Sequence, residues 1–132
     1  MLIVQPVLRI DENTAIRHMS FKGIWPTAPR DFVLCTTMVC DEKSEDKTRS
    51  FVTSISAWPD LLPLQRGYVR GTLLISGYVM EAVEGNPNST RITMCAHSDL
   101  GGQLPSSIIN ALSVNAPIKI LTAISEILRS KK

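Results

Sequence analysis

Apolar and polar residues alternate with a period near two over most of this chain, and the pattern changes to a period near 3.6 only towards its end. Val4 to Ile10 is apolar and β-branched, Asp11-Glu12-Asn13-Thr14 is a turn cluster, and Ala15 to about Phe21 returns, which predicts a hairpin. Lys22 to Pro29 contains Gly23, Pro26 and Pro29, which break regular structure and leave a loop carrying Ile24 and Trp25. Asp31 to Cys40 reads as a strand, Asp41 to Lys47 as a charged hairpin loop, and Arg49 to Ala57 as the returning strand. Pro59 and Pro63 bracket a crossing loop. One long strand is then expected from Gly67 to Val83, with bulges at Gly71 and Gly77, followed by a turn at Glu84 to Asn88 and a return from Arg91 to Ala96.

Beyond Ser98 the periodicity becomes helical. Gly101 and Gly102 allow a sharp turn, and Pro105 suits a first helical residue, where its missing N–H costs nothing. Ile109, Leu112, Ala116, Ile120, Ala123 and Ile127 recur at steps of three and four, and Leu121, Ile124 and Leu128 widen the stripe. Such a helix needs an apolar surface to lie on, and the strands upstream make that surface a sheet. The expected fold class is α+β: six or seven antiparallel strands, curved by bulges, gripping one long C-terminal helix.

At 132 residues the chain is expected to form a single domain over residues 1–132. A net charge of +2 with 20% charged residues provides no extended basic face, so nucleic acid is not an implied partner, and the low aromatic share argues against a base-stacking platform. Cys35, Cys40 and Cys95 are odd in number and form no C-x-x-C pair, which suits reduced thiols in the cytosol. No uninterrupted run reaches the ~18 apolar residues of a membrane span, and Gln5-Pro6 comes too early for a signal peptide. A cytoplasmic protein is the expectation. Asn88-Ser89-Thr90 matches a glycosylation sequon but reads there as plain turn sequence.

Catalytic and metal chemistry find little support. His18 and His97 lie among strand residues without convergent metal-ligand partners, so no metal or cofactor is expected. No nucleophile elbow, phosphate loop or carboxylate pair stands out. If Met19 points to the inner face of the sheet, so do Ala15 and Arg17, and the neighbouring strands offer Phe32, Leu34, Thr36 and Met38, then Val52, Ser54 and Ser56. Apolar walls with a few hydroxyl anchors suit a pocket for an amphipathic ligand. The same composition also suits a solid core whose Thr and Ser side chains bond to backbone, and composition alone favours that reading.

Three separated stretches resolve the matter by resemblance. Ile24-Trp25-Pro26-Thr27-Ala28-Pro29-Arg30-Asp31-Phe32-Val33, Gly67-Tyr68-Val69-Arg70-Gly71 and Asp99-Leu100-Gly101-Gly102-Gln103-Leu104-Pro105-Ser106-Ser107-Ile108-Ile109-Asn110 stand in the order and spacing of START domains, the StAR-related lipid-transfer family. The resemblance covers essentially the whole chain. It begins partway into the family pattern, whose N-terminal helix, three strands and two short helices are missing, so a partial domain is expected. It implies a helix-grip fold, no enzymatic activity, and one lipid held in a tunnel capped by the C-terminal helix.

The expected lipid-contacting positions are Met19, Leu34, Thr36, Ser54 and Met94 by that resemblance, Arg17 and Ser56 by their place on the same presumed inner face, and Ile109, Leu112 and Ala116 on the apolar stripe of the helix that caps the tunnel. The ceramide-transfer branch carries a glutamine where this chain has Met19, an asparagine where it has Ser54, and tyrosines at the positions of Leu34 and Met94. The sterol branch has a carboxylate and an arginine where this chain has Met19 and Thr36, so its internal ion pair is lost. Phospholipid or ceramide is therefore favoured over sterol, and Arg17 is placed to meet a phosphate. Ile24, Trp25 and Leu104 are the implied contacts with a transient membrane surface, which implies peripheral membrane association. A homo-oligomer through an unpaired sheet edge is a further implied partner. Two competing functions remain: a hydrolase or cyclase on a related scaffold, served by His97 or Asp99, and a non-transferring interaction domain with a collapsed or open cavity.

Overall fold

The computed structural model describes residues 2–23, 27–41 and 49–130, and for residue 87 the backbone alone. The chain forms two compact units, Met1–Gly101 and Gly102–Lys132. The first holds the strands and the second the helix.

In the first unit β1 (Leu2–Arg9), β2 (Thr14–Phe21), β3 (Arg30–Asp41) and β4 (Arg49–Ser56) follow one another as antiparallel neighbours. A 3-10 turn, Pro59–Leu61, opens the crossing segment. The expected long strand from Gly67 to Val83 is instead three: β5 (Val69–Arg70), β6 (Thr72–Leu73) and β7 (Ser76–Val83). β5 pairs with the start of β3 in parallel, β6 pairs with β9 (Ser98–Asp99) in a separate ribbon, and β7 returns to β4 and then to β8 (Asn86–Cys95). Among the described residues this makes a seven-stranded sheet in the order β1-β2-β3-β4-β7-β8, with β5 beside β3.

The break has a local cause. At Gly71 the Phe32 ring occupies the space a Cβ would take, so the chain passes closely over β3 there and its amide donates to the Asp31 carbonyl at 2.9 Å. The bulges also fall elsewhere than expected, between Pro6 and Leu8 in β1 and between Ala82 and Val83 in β7. Pro6 has no N–H to give the ladder, and Val83 precedes a tight turn through Gly85 at φ 73°. Gly77 lies in regular pairing, where its backbone packs against the Val52 carbonyl. The charged loop expected around Asp41 to Lys47 falls, from residue 42 on, outside the described residues.

The second unit is dominated by α1 (Ser106–Ser130). Its start corrects the expectation by one residue: the Pro105 carbonyl accepts the amides of Ile108 at 3.0 Å and Ile109 at 3.2 Å, so Pro105 is the cap and Ser106 the first helical residue. Pro117 lies inside the helix, removing the N–H that would bond the Ser113 carbonyl. By length and composition α1 also satisfies the measure of a membrane span, with an 18-residue window of mean hydropathy 1.4. The uninterrupted run that the sequence lacks is not required for this, because Asn110, Ser113, Asn115 and Lys119 are outweighed by their neighbours. Core helices of soluble proteins pass the same measure, so it decides nothing alone.

Gly77→Ala is expected to lower stability by about 2 kcal/mol, since a methyl group there meets backbone that cannot turn away. A urea denaturation midpoint unchanged from the parent would refute this contact.

Candidate functional site

Cross-strand partners project from the same face of a sheet, so register decides which side chains lie together. Arg17 stands opposite Leu34, and Leu34 opposite Ser56. The next row runs Ala15, Thr36, Ser54, Ser76, and the one beyond it Met38, Val52, Tyr78, Met94. Met19 lies opposite Phe32, two residues along from Arg17. The seven strand positions singled out in the sequence, Arg17, Met19, Leu34, Thr36, Ser54, Ser56 and Met94, therefore share one face of the seven-stranded sheet.

That face is apolar with its hydroxyls spoken for. Thr36 Oγ1 and Ser54 Oγ are 3.0 Å apart, Ser56 Oγ accepts the Leu73 amide at 2.8 Å, and Ser76 Oγ accepts the His97 amide at 2.8 Å. Phe32 and Leu34 are buried, whereas Arg17 is exposed. Arg17 also borders a depression of about 480 Å³ at the β1–β2 hairpin, lined by Pro6 to Arg9 and Asp11 to Arg17.

In the second unit Ile109, Leu112 and Ala116 follow one another by three and four residues along α1, on a common stripe roughly 60° wide at 100° per residue. Leu104 precedes the helix and is half-buried. Ile24 and Trp25 lie outside the described residues.

The opposite face carries a cluster that sequence reading missed. Asp31, with 1% of its side chain exposed, stands at the start of β3. Its carboxylate accepts Arg70 Nε at 3.0 Å and Nη2 at 2.9 Å, and lies 2.9 Å from His18 Nε2. Arg70 donates further to the carbonyls of Leu62 and Pro63, so it fastens the crossing segment to β3. Burial pushes the Asp31 carboxyl upward, the largest single effect, but the hydrogen bonds and charges of Arg70 and His18 together outweigh it and hold the group below its ordinary 3.8. Both Asp31 and Arg70 belong to stretches that carried the family resemblance, and His18 had been read as a plain strand side chain. The available signal was an aspartate set against Phe32-Val33-Leu34, a position that asks for a cation.

Among the described residues no group of three or more His, Cys, Asp or Glu side chains is placed to hold a metal. Asp99 Oδ1 accepts the Gly101 amide at 2.8 Å, and His97 enters the structure through its backbone, bonded to Ser76 and Leu74. Arg30 donates to the carbonyls of Ala28, Leu100 and Gly101, tying the segment that leaves β9 to the start of β3.

An antiparallel sheet with one apolar face bearing a few hydroxyls, followed by a long apolar helix, is the element set of the α+β helix-grip class. The START domain pattern matches residues 3–131, and the chain belongs to that family, whose members bind lipids. Among curated proteins it is similar to StAR-related lipid transfer protein 5 of Mus musculus, 36% identical over 84 residues, which is 64% of this chain and 38% of that one. An uncharacterised protein of Pseudomonas aeruginosa is 28% identical over 97 residues, 74% of this chain and 45% of that one. The matches thus span less than half the length of these curated relatives. Among solved structures, human StAR-related lipid transfer protein 5 aligns with a TM-score of 0.84 at 18% identity, over 97% of this chain and 60% of that one. Human STARD10 aligns with a TM-score of 0.81 at 20% identity, over 96% and 49%.

Replacing Asp31 by Asn is expected to cost roughly 3 kcal/mol at neutral pH, because it leaves the Arg70 guanidinium short of its counter-charge. The sign of the pH effect follows from the lowered carboxyl: its stabilising contribution is complete above 3.8 and is lost as pH falls through the folded-state value. Urea midpoints taken from about pH 7 down to about pH 3 should show a steep acid limb in the parent and a shallower one in Asp31→Asn; parallel limbs would contradict the assignment.

Proposed function

We propose that this chain binds one lipid, phospholipid or sphingolipid, against the sheet face that carries Arg17, Met19, Leu34, Thr36, Ser54, Ser56 and Met94, and moves it between membranes without covalent chemistry. The observation that carries the reading is the register, which collects apolar walls and paired hydroxyls on one face in a chain of the START family. Ile109, Leu112 and Ala116 of α1 are the helix positions assigned to the same lipid, as the cap of its tunnel. An arginine among apolar groups suits a phosphate, so Arg17 is assigned to the headgroup.

The energetics suit transfer. Each methylene moved from water to an apolar site gains about 0.8 kcal/mol, so an acyl chain contributes on the order of 10 kcal/mol before ordering costs. Equilibrium therefore favours the bound lipid over its free form in water, and the slow step is leaving a bilayer. Ile24, Trp25 and Leu104 are assigned to that step as membrane contacts, and the protein is assigned to the cytoplasm with transient peripheral attachment. β1 is an end strand of the sheet with Leu2, Val4 and Leu8 exposed, and its open ladder is where a second copy would pair.

Mass spectrometry of the purified protein under non-denaturing conditions should show a phospholipid or sphingolipid at one per chain. Ser54→Trp, which fills the middle of the proposed face, should cut that occupancy at least tenfold while far-ultraviolet circular dichroism stays that of the parent. A folded parent without lipid would end the proposal. Trp25→Ala should slow extraction of lipid from vesicles with the fold retained, and equal rates would remove Trp25 from the mechanism.

A further inference from the structure

One end of the sheet exposes several large apolar side chains. The antiparallel register puts the end of β2, the start of β3 and the segment after β4 at a common end: Phe21 pairs with Arg30, Leu34 with Ser56, and Arg30 with Val69. The segment between Ser56 and Val69 presents Trp58 at 65% exposure and Leu64 at 76%, with Tyr68 also exposed. Beside it Leu74 and Ile75, the latter 75% exposed, lead into β7, whose Ser76 pairs with Ser54.

These tips sit on a braced support. Arg70 holds the Leu62 and Pro63 carbonyls while gripping Asp31, the Ala57 amide donates to the Val33 carbonyl at 2.8 Å, and the Leu61 amide donates to the Trp58 carbonyl at 3.1 Å. The segment is thus bonded to β3 at both of its ends, and the Trp58 and Leu64 side chains are left outside it. Trp58, Leu64, Tyr68, Leu74 and Ile75, all exposed at this end of the sheet, form a group of apolar tips rather than one scattered side chain, and such a group marks a contact surface.

We propose that Trp58 and Leu64 form a bilayer-docking tip, separate from Ile24, Trp25 and Leu104, that seats this end of the sheet on an anionic membrane interface. The occupant follows from chemistry and continuity. Trp and Tyr beside aliphatic tips partition to the headgroup level of a bilayer, and the exposed Lys22 and Arg66 at the same end supply positive charge that outnumbers the exposed Asp60 carboxylate within the segment, while the Asp99 carboxylate at that end is engaged by the Gly101 amide. The segment leaves β4 directly from Ser56, whose hydroxyl also bonds the Leu73 amide, so the tip is continuous with the face assigned to the lipid. The proposal rests on the lipid-transfer reading and adds to it the surface through which the lipid enters.

The chain has two tryptophans, so Trp25→Phe leaves Trp58 as the sole indole. With vesicles of phosphatidylcholine containing one-fifth phosphatidylserine and brominated acyl chains, Trp58 fluorescence in that variant should be quenched at shallow depth. In the otherwise native chain, Trp58→Ala with Leu64→Ala should weaken sedimentation with the same vesicles at least tenfold, while lipid occupancy by mass spectrometry and the urea midpoint stay those of the parent. Unquenched Trp58 fluorescence, vesicle binding within twofold of the parent, or a parent that ignores vesicles and is retained instead by proteins would each overturn the tip. Loss of lipid occupancy in the parent itself would overturn the transfer reading, and is read separately from vesicle binding.

Discussion

A buried carboxylate organises this sheet. Asp31 is withdrawn from water at the point where β3 begins, a position that is tolerable only because a guanidinium and an imidazole reach it from two other parts of the chain. His18 comes from β2 and Arg70 from the far end of the crossing segment. The three therefore join elements that hydrophobic burial alone would leave free to slide. The Asp31 backbone carbonyl, accepting the Gly71 amide, adds a fourth attachment, and the close passage at Gly71 follows from it. The interruption of the expected long strand is the consequence: residues 69–73 serve β3 and β9 before the chain can return to β4.

The two faces of the sheet divide the labour. One holds Ile16, Val33 and the Asp31 cluster, where buried polar groups are satisfied and fix register. The other holds Leu34, Phe32 and the row of Thr36, Ser54 and Ser76, whose hydroxyls bond to each other or to backbone. Apart from the exposed Arg17, the named polar side chains of that face are paired within the protein. Among START domains, which bind lipids, such a face suits a guest that is mostly hydrocarbon.

Much of this was legible before any coordinates. Strand boundaries for β2, β3 and β4 and the terminal helix follow from periods of two and 3.6, because side-chain direction is a local property of the backbone, whereas the set sharing a face with Met19 depended on a cross-strand parity that the register supplies. Family membership was legible from three motifs, each of which proves to contain residues that brace the start of β3: Arg30 and Asp31, Arg70, and the carbonyls of Leu100 and Gly101.

What the linear pattern could not supply was every relation set by distance along the chain. Nothing local to Arg70 says that Asp31, 39 residues away, needs it. The three-way division of residues 69–83 and the displacement of the bulges to Pro6 and Ala82 depend on which strand lies alongside. The exposure of Trp58 and Leu64, by contrast, contradicts what their hydrophobicity alone would suggest. Sequence by itself determined the elements and the family, since both are written in short-range spacing. Only the tertiary structure decided which charges meet and which apolar side chains are left in water, since burial is a property of the assembled neighbours.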